Sequence, residues 1–313
     1  MAARSLGEAV AIGVDVGGTQ VRAALVDGGG RILAREDERT EATAGPERVL
    51  AQIKRLADGL LPSAGHRPVL GIGVSTPGPV DTIAGVARGI PTLSGFDQYP
   101  LKAELQTRFS LPVSLENDGI AAAIGEWRFG AGQGFDNLVY ITVSTGIGGG
   151  VIADGRVLRG RMGMAGHIGH MRIVPDGARC PCGGRGCFEA YGSGTAFTAR
   201  ARNTMGQDAI DSRAVFTAAR AGDGDANRLI DEEADILGRG IVNLLHVYSP
   251  DIVIMGGGMA QEFERLQPGM QGFIQQFAMP AFRDVKVVKA ALGQNSGLVG
   301  SAALAFLEQE LFP

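Results

Sequence analysis

The apolar residues of the first forty positions fall into short runs separated by clusters of glycine. Residues 10–16 make the first run, closed by Gly17-Gly18, and residues 21–26 the second, closed by Asp27-Gly28-Gly29-Gly30; residues 31–35 follow. Strand, tight turn, strand, tight turn, strand predicts an antiparallel meander. The period then changes. Val49, Ile53, Leu56 and Leu60 recur at helical spacing and Pro46 suits a first turn, so a helix is predicted over 46–60. Residues 69–74 read as a buried strand, and Ser75-Thr76-Pro77-Gly78-Pro79 as a loop. A short strand at 113–115 leads to Asn117-Asp118, which caps an Ala-rich helix over 119–129. Residues 138–143 make another strand, running into the glycine-rich stretch 144–150. Helices are predicted over 194–203, 212–221, 225–248 and 296–311, and a buried strand over 251–255 runs into Gly256-Gly257-Gly258. The mixture is α/β.

The chain repeats itself. Ile12-Gly-Val-Asp-Val-Gly-Gly-Thr, then Val21-Arg-Ala-Ala-Leu-Val, a glycine turn and Arg31-Ile-Leu, has a counterpart. It is Ile141-Thr-Val-Ser-Thr-Gly-Ile-Gly-Gly, then Val151-Ile-Ala, a glycine turn and Arg156-Val-Leu. A duplicated unit with a cleft between its halves is one reading; two similar hairpins without common ancestry is the other.

With 313 residues, 45% hydrophobic and 20% charged, the chain can build two domains of ordinary size, and disorder is excluded as its main state. A net charge of −4 argues against a general binder of nucleic acid or membrane surfaces, and 6% aromatic residues against a base-stacking platform. No apolar run reaches the roughly 18 residues of a membrane span. Residues 1–10, with Arg4 and Glu8, lack the stretch of a signal peptide, so the cytoplasm is the expected location. Glycine is in excess: 49 residues, against a usual share of roughly 7%.

Three glycine turns follow apolar strands: Asp15-Val-Gly-Gly-Thr19, Ser144-Thr-Gly-Ile-Gly-Gly149 and Ile254-Met-Gly-Gly-Gly258. Backbone N–H groups in such turns can hold phosphate oxygens, although many such turns are only structural. There is no Gly-Lys pair for a Walker A loop, and the first turn leads from strand into strand, which excludes a dinucleotide fold. Asp15, at the tip of the first strand, can hold Mg²⁺ through water, or bond its own turn. Asn117 and Asp118 suit helix capping; alternatively Asp118 is a base toward a sugar hydroxyl, kept ionised by the helix N-terminus.

Cys180-x-Cys182-x₄-Cys187, preceded by His170, offers three sulfurs and a nitrogen, a tetrahedral zinc set with no open position and hence structural. A disulfide between Cys180 and Cys182 would be strained. Zinc would orient Glu189, two residues beyond the last cysteine. His167 and His170, three apart, would face alike on one helical turn. His170 could then hold zinc through one ring nitrogen and a ligand through the other, while His167 could also be a packed core residue.

At these residues the sequence resembles the ROK family of the actin/hexokinase (ribonuclease H-like) superfold, over nearly the whole chain. The matching segments are Asp15 to Thr19, Pro77-Gly-Pro-Val-Asp81, Glu116-Asn-Asp-Gly119, Ser144 to Gly150, Gly166-His-Ile-Gly-His170, the cysteine segment 180–189 and Ile254 to Gly258. The resemblance implies ATP- and Mg²⁺-dependent phosphorylation of the 6-hydroxyl of a hexose, with structural zinc. Asp118 would be the base. Gly78, Thr92, Asn117, Asp118, His167, His170 and Glu189 would bind the sugar. Asp15, Gly17, Gly18, Thr19, Gln20, Thr145, Gly146, Gly148, Gly256, Gly257 and Gly258 would bind ATP and Mg²⁺, and His170, Cys180, Cys182 and Cys187 zinc. A small domain over 1–117, joined by the helix 296–313, and a large domain over 118–295 would close over the sugar, commonly in a homodimer.

Three positions depart from the family pattern. Gln20 replaces a common Lys, and Thr92 stands where many members have Asn. His167 stands where the family's glucokinases usually carry Glu, and bacterial N-acetylmannosamine kinases resemble the chain there. The expected substrate is therefore N-acetylmannosamine or glucose, with N-acetylglucosamine, mannose or fructose as other hexoses to weigh. A sugar-responsive regulator is the rival class, but the first phosphate motif starts at Asp15 and leaves no space for an N-terminal DNA-binding segment. A chaperone-like ATPase of the same superfold would need neither the zinc signature nor Glu189.

Overall fold

The computed structural model describes residues 8–206, 208 and 210–308. They fall into two units: residues up to 133, 157–166 and from 295 onward form the first, and 134–156 with 167–294 the second. Residues 1–7, on which most of the leader reading rests, and residues 309–313 of the predicted closing helix lie outside the described residues.

In the first unit, β1 (Val10–Val16), β2 (Gln20–Asp27) and β3 (Ile32–Arg39) form the predicted meander. The third strand runs four residues past its predicted end, because Glu36 to Arg39 make a charged, exposed edge that carries no apolar signal. Helix α1 (Pro46–Leu60) lies where its periodicity puts it and buries Val49, Ile53, Leu56 and Leu60. Strand β4 (Val69–Thr76) is followed by a three-stranded sheet absent from the sequence reading, β5 (Val80–Asp81), β6 (Val86–Arg88) and β7 (Asp97–Tyr99). Helix α2 (Leu101–Arg108) buries only Leu101 and Leu105, too short a stripe to read. Strand β8 (Val113–Asn117) and helix α3 (Asp118–Phe129) complete the run, and the main sheet has the order β3-β2-β1-β4-β8.

The closing helix Ser296–Glu308 covers this sheet at very short range. A Cβ on Gly13 would lie 2.3 Å from the Leu298 carbonyl oxygen, one on Gly73 1.7 Å from that of Ser301, and one on Gly125 of α3 2.5 Å from that of Ser296. Glycine here buys backbone-to-backbone approach. Ser296 donates to the buried Glu126 carboxylate at 2.7 Å and fixes the start of the helix. Since α3 packs on this helix, the first unit extends to residue 133 and does not stop at the expected boundary of 117/118.

The second unit repeats the plan. Strands β9 (Leu138–Val143), β10 (Ile147–Ala153) and β11 (Arg156–Val157) form a second meander, with β12 (Ile252–Gly256) and β13 (Lys286–Lys289) parallel to β9. The order β11-β10-β9-β12-β13 matches the first sheet position for position, which supports the duplicated reading. The helices are α4 (Glu189–Gly192), α5 (Gly194–Met205), α6 (Ser212–Arg220), α7 (Gly224–Tyr248) and α8 (Phe263–Phe277). α8 is missing from the sequence reading because Pro268-Gly269 reads as a breaker.

Candidate active site

In the first unit the β1–β2 turn is tightly closed. Gly17 N–H donates to the Gln20 carbonyl at 2.8 Å, and the Thr40 hydroxyl donates to the Gly17 carbonyl at 2.6 Å. The Gly17 amide is therefore occupied inside the turn. A Cβ on Gly18 would come within 2.7 Å of Thr92 Cβ, so Thr92 packs directly on this turn. Thr19 and Gln20 are exposed beside it, and Gly78 is half-buried in the link from β4 to β5.

Asp15 is buried at the end of β1, where its carboxylate accepts from the Ser75 hydroxyl at 2.8 Å and pairs with Arg22, its cross-strand neighbour. Asn117 ends β8 and caps α3, accepting from Gly119 N–H at 3.0 Å and Ile120 N–H at 3.4 Å. Glu116, one residue earlier, is buried against Arg159, whose Nε donates at 3.0 Å; burial pushes its carboxyl above the ordinary value.

Asp118 opens α3 and accepts from Gly119 N–H at 2.8 Å. The helix end is not the dominant influence on its charge. The residue retains some exposed surface, but burial of its carboxyl is the largest influence and the negative charge of Asp15 the next. Together they outweigh the N–H groups and raise the carboxyl to about 7.

In the second unit the glycine-rich stretch is only partly a turn. Ser144 to Gly146 make the turn, with Ser144 N–H donating to the Gly146 carbonyl at 2.9 Å, whereas Gly148 lies inside β10 opposite Thr142. Glycine suits the strand because a Cβ on Gly149 would meet Ile168 and the Tyr140 carbonyl at 2.4 Å. Gly256 ends β12 against Tyr140, where a Cβ would fall 2.1 Å from the hydroxyl, and Gly257 takes a left-handed φ of 86° under Val143. Gly258 and Thr145 are exposed. They open on a groove of about 400 Å³ lined by Ser144, Thr195, Thr198, Arg202, Ser212 and Met259 as well. The Thr195 hydroxyl donates to the Thr145 carbonyl at 2.8 Å and ties α5 to the turn. These helix residues carry no motif, and the sequence reading missed them.

The zinc ligand set comes together as predicted. The ligand atoms of His170, Cys180, Cys182 and Cys187 lie within 4.8 Å of one another. Cys182 Sγ to Cys187 Sγ is 3.7 Å, and His170 Nδ1 to Cys180 Sγ is 3.7 Å. Four ligands about 2.3 Å from a tetrahedral centre would stand about 3.7 Å apart, so the residues fit zinc. Burial pushes the Cys180 thiol up to about 12 and Cys187 also upward, while the Gly184 N–H lowers Cys182; a bound cation would favour the thiolate of each. The rings of His167 and His170 stand 6.2 Å apart, tilted by 33°, across the short 3₁₀ turn Ile168–His170. His170 meets the cysteines through Nδ1. Glu189, half-buried at the start of α4, accepts from Ile147 N–H at 2.8 Å and so holds the end of the 144–146 turn.

Two like α/β sheets, two glycine turns and a Cys₃His loop define an actin/hexokinase-like protein. The chain belongs to the ROK family, whose model matches residues 11–308. It is 35% identical to a glucokinase of Thermotoga maritima, over 94% of this chain and 96% of that protein. It is 34% identical to an N-acetylmannosamine kinase of Citrobacter koseri, over 94% and 98%. The structure superposes on a ROK glucokinase from Streptomyces griseus in complex with glucose and AMPPNP with a TM-score of 0.82, 35% identity and coverage of 95% and 99%.

Proposed function

We propose that this protein is an ATP-dependent hexose kinase, transferring the γ-phosphoryl group of ATP to the 6-hydroxyl of N-acetylmannosamine or glucose. The observation that carries the proposal is the placement of Asp118 at the start of α3, in a ROK-family chain, beside the Asn117 cap and the negative charge of Asp15, where burial raises its carboxyl to about 7. A base taking a proton from a sugar hydroxyl works best near the operating pH. The O6–phosphorus bond forms, the bond from phosphorus to the ADP oxygen breaks, and the hydroxyl proton passes to Asp118.

ATP occupies the groove of the second unit, its phosphates toward Thr145 and Gly258, with the hydroxyls of Thr195, Thr198 and Ser212 and the cation of Arg202 around it. Mg²⁺ supplies charge neutralisation on the phosphates. Both oxygens of Asp15 already have partners, Ser75 and Arg22, so Asp15 would hold the ion through its water shell. Asn117 has its oxygen fixed by the α3 cap and its side chain also hydrogen-bonds the Asp118 carboxyl, so it borders the sugar while orienting the base. Gly78, Thr92, His167, His170 and Glu189 complete the sugar contacts, with zinc holding the loop that carries the last two.

His167 selects for an acetamido sugar. A carboxylate there would repel the acetamido carbonyl, whereas an imidazole N–H can donate to it. An ADP-release assay across glucose, mannose, N-acetylglucosamine and N-acetylmannosamine tests the proposal. The expected result is turnover of N-acetylmannosamine and glucose; ATPase activity indifferent to every sugar would overturn it.

A further inference from the structure

Helix α4 is a single turn, Glu189–Gly192, with no side-chain cap at its start, yet it carries a proposed sugar ligand at its first residue. Its placement comes from elsewhere in the second unit. Phe188 is fully buried against α7, where a Cβ on Gly240 would lie 2.3 Å from the ring. The Tyr191 hydroxyl accepts from Ala178 N–H at 2.7 Å, which fastens the turn to the cysteine loop. The Tyr191 carbonyl accepts from Arg200 Nη1, and Arg200 Nη2 pairs with the fully buried Glu233 of α7. Glu233 and Gly240 are seven residues apart, two helical turns, and so share one face of α7. That face supports α4 twice, by a notch for Phe188 and by the Arg200 link.

We infer that Arg200 and Glu233 are positioning residues, which hold Tyr191 and thereby aim the Glu189 carboxylate at Ile147 N–H and the bound sugar. A buried ion pair is a poor source of stability, since removing two charges from water costs about as much as their attraction returns. This pair is a costly one. Burial raises the Glu233 carboxyl to about 7 despite the guanidinium, and its Oε1 is buried without a hydrogen-bond partner. Glu232, the other acid near Arg200, is 3.7 Å away and largely exposed, so it offers no substitute. What the pair does provide is geometry: one planar guanidinium spans a helix carbonyl and a carboxylate at fixed separation, which the point charge of a lysine does not do.

The inference rests on the kinase reading for its sugar, and the test separates the two. The double variant Arg200→Met/Glu233→Leu removes both charges together and avoids leaving one unpaired. Arg200→Lys keeps the charge opposite Glu233 but gives up the two-pronged reach. In both, amide hydrogen exchange at Ile147 should accelerate at least about tenfold while the amides of β12 exchange as in the wild type. Hexose kcat/KM should fall about 10- to 100-fold, mostly through KM, the scale of misplacing one group by about an ångström. Unchanged Ile147 exchange in either folded variant overturns the inference, and so does acceleration spread evenly over β9, β12 and α7, which would mark a merely structural pair. If the wild type turns over no hexose, the exchange measurement still decides the role of the pair.

Discussion

Asp118 gives the most direct quantitative test. In the unfolded chain its carboxyl titrates near 3.8, and in the fold near 7. The ionised fraction is then about one tenth at pH 6 and about nine tenths at pH 8, whereas at 3.8 it would exceed nine tenths at both. If Asp118 is the base, kcat/KM for the hexose should rise about tenfold from pH 6 to pH 8, with the acid limb centred near 7. Asp118→Asn should flatten the limb and cost about 10²–10⁴-fold in kcat. Asp15→Asn removes the nearby negative charge and should move any residual limb to lower pH. Stability must run the other way. Between 3.8 and 7 the folded state binds more protons at Asp118 than the unfolded state does, so this group's stabilising contribution is lost as pH rises through that window. Glu233, raised to about 7 from 4.5, acts in the same direction. Activity rising while melting temperature holds or falls would therefore exclude a stability effect. A flat kcat/KM between pH 6 and 8, or an Asp118→Asn variant keeping more than about a tenth of wild-type kcat, refutes the assignment.

Elemental analysis of the untreated protein should find about one zinc per chain, and Cys182→Ser should lose metal and weaken sugar affinity together, because Glu189 and His170 share that loop; full activity without zinc would refute the site. His167→Glu should shift the kcat/KM ratio of N-acetylmannosamine to glucose about 5- to 150-fold toward glucose, one hydrogen bond being worth about 1–3 kcal/mol; an unmoved ratio would place His167 away from the sugar. Gly73→Ala forces a methyl into the Ser301 carbonyl oxygen, 1.7 Å from the ideal Cβ position, and overpacking of about 1–3 kcal/mol should lower the melting temperature by about 2–10 °C in a thermal scan.

Much of this architecture was legible in the chain because the relevant signals are local. The α1 stripe of Val49, Ile53, Leu56 and Leu60, the Asn117 cap and the hairpins at Gly17-Gly18 are all written within a few residues. The cysteine loop was legible because zinc dictates both residue type and spacing. What escaped lacks any local mark. The sheet β5–β7 has strands of two or three residues, and β3 ends in charge. Gly13, Gly73 and Gly149 look like flexible positions, yet they are sites of backbone or side-chain contact with segments distant in sequence. The groove residues on α5 and α6, and the partners Arg22 and Arg200, are single polar residues whose meaning comes only from what the fold sets beside them. The ionisation of Asp118 illustrates the same point, because helix position was visible in the sequence while burial and the field of Asp15 were not.

The placement of the helix Ser296–Glu308 has a consequence for how the chain is made. Gly13 and Gly73 of the sheet present bare backbone on which this helix sits, so the sheet formed by residues 10–117 emerges from the ribosome with that part of one face open. It stays open while roughly 170 further residues are translated, on the order of 10–30 seconds at ordinary synthesis rates. The second unit, whose own segments all lie between 134 and 294, can close first. The half of the molecule begun earliest is thus completed last, and a nascent chain stalled between residues 130 and 295 should be the species most dependent on chaperones.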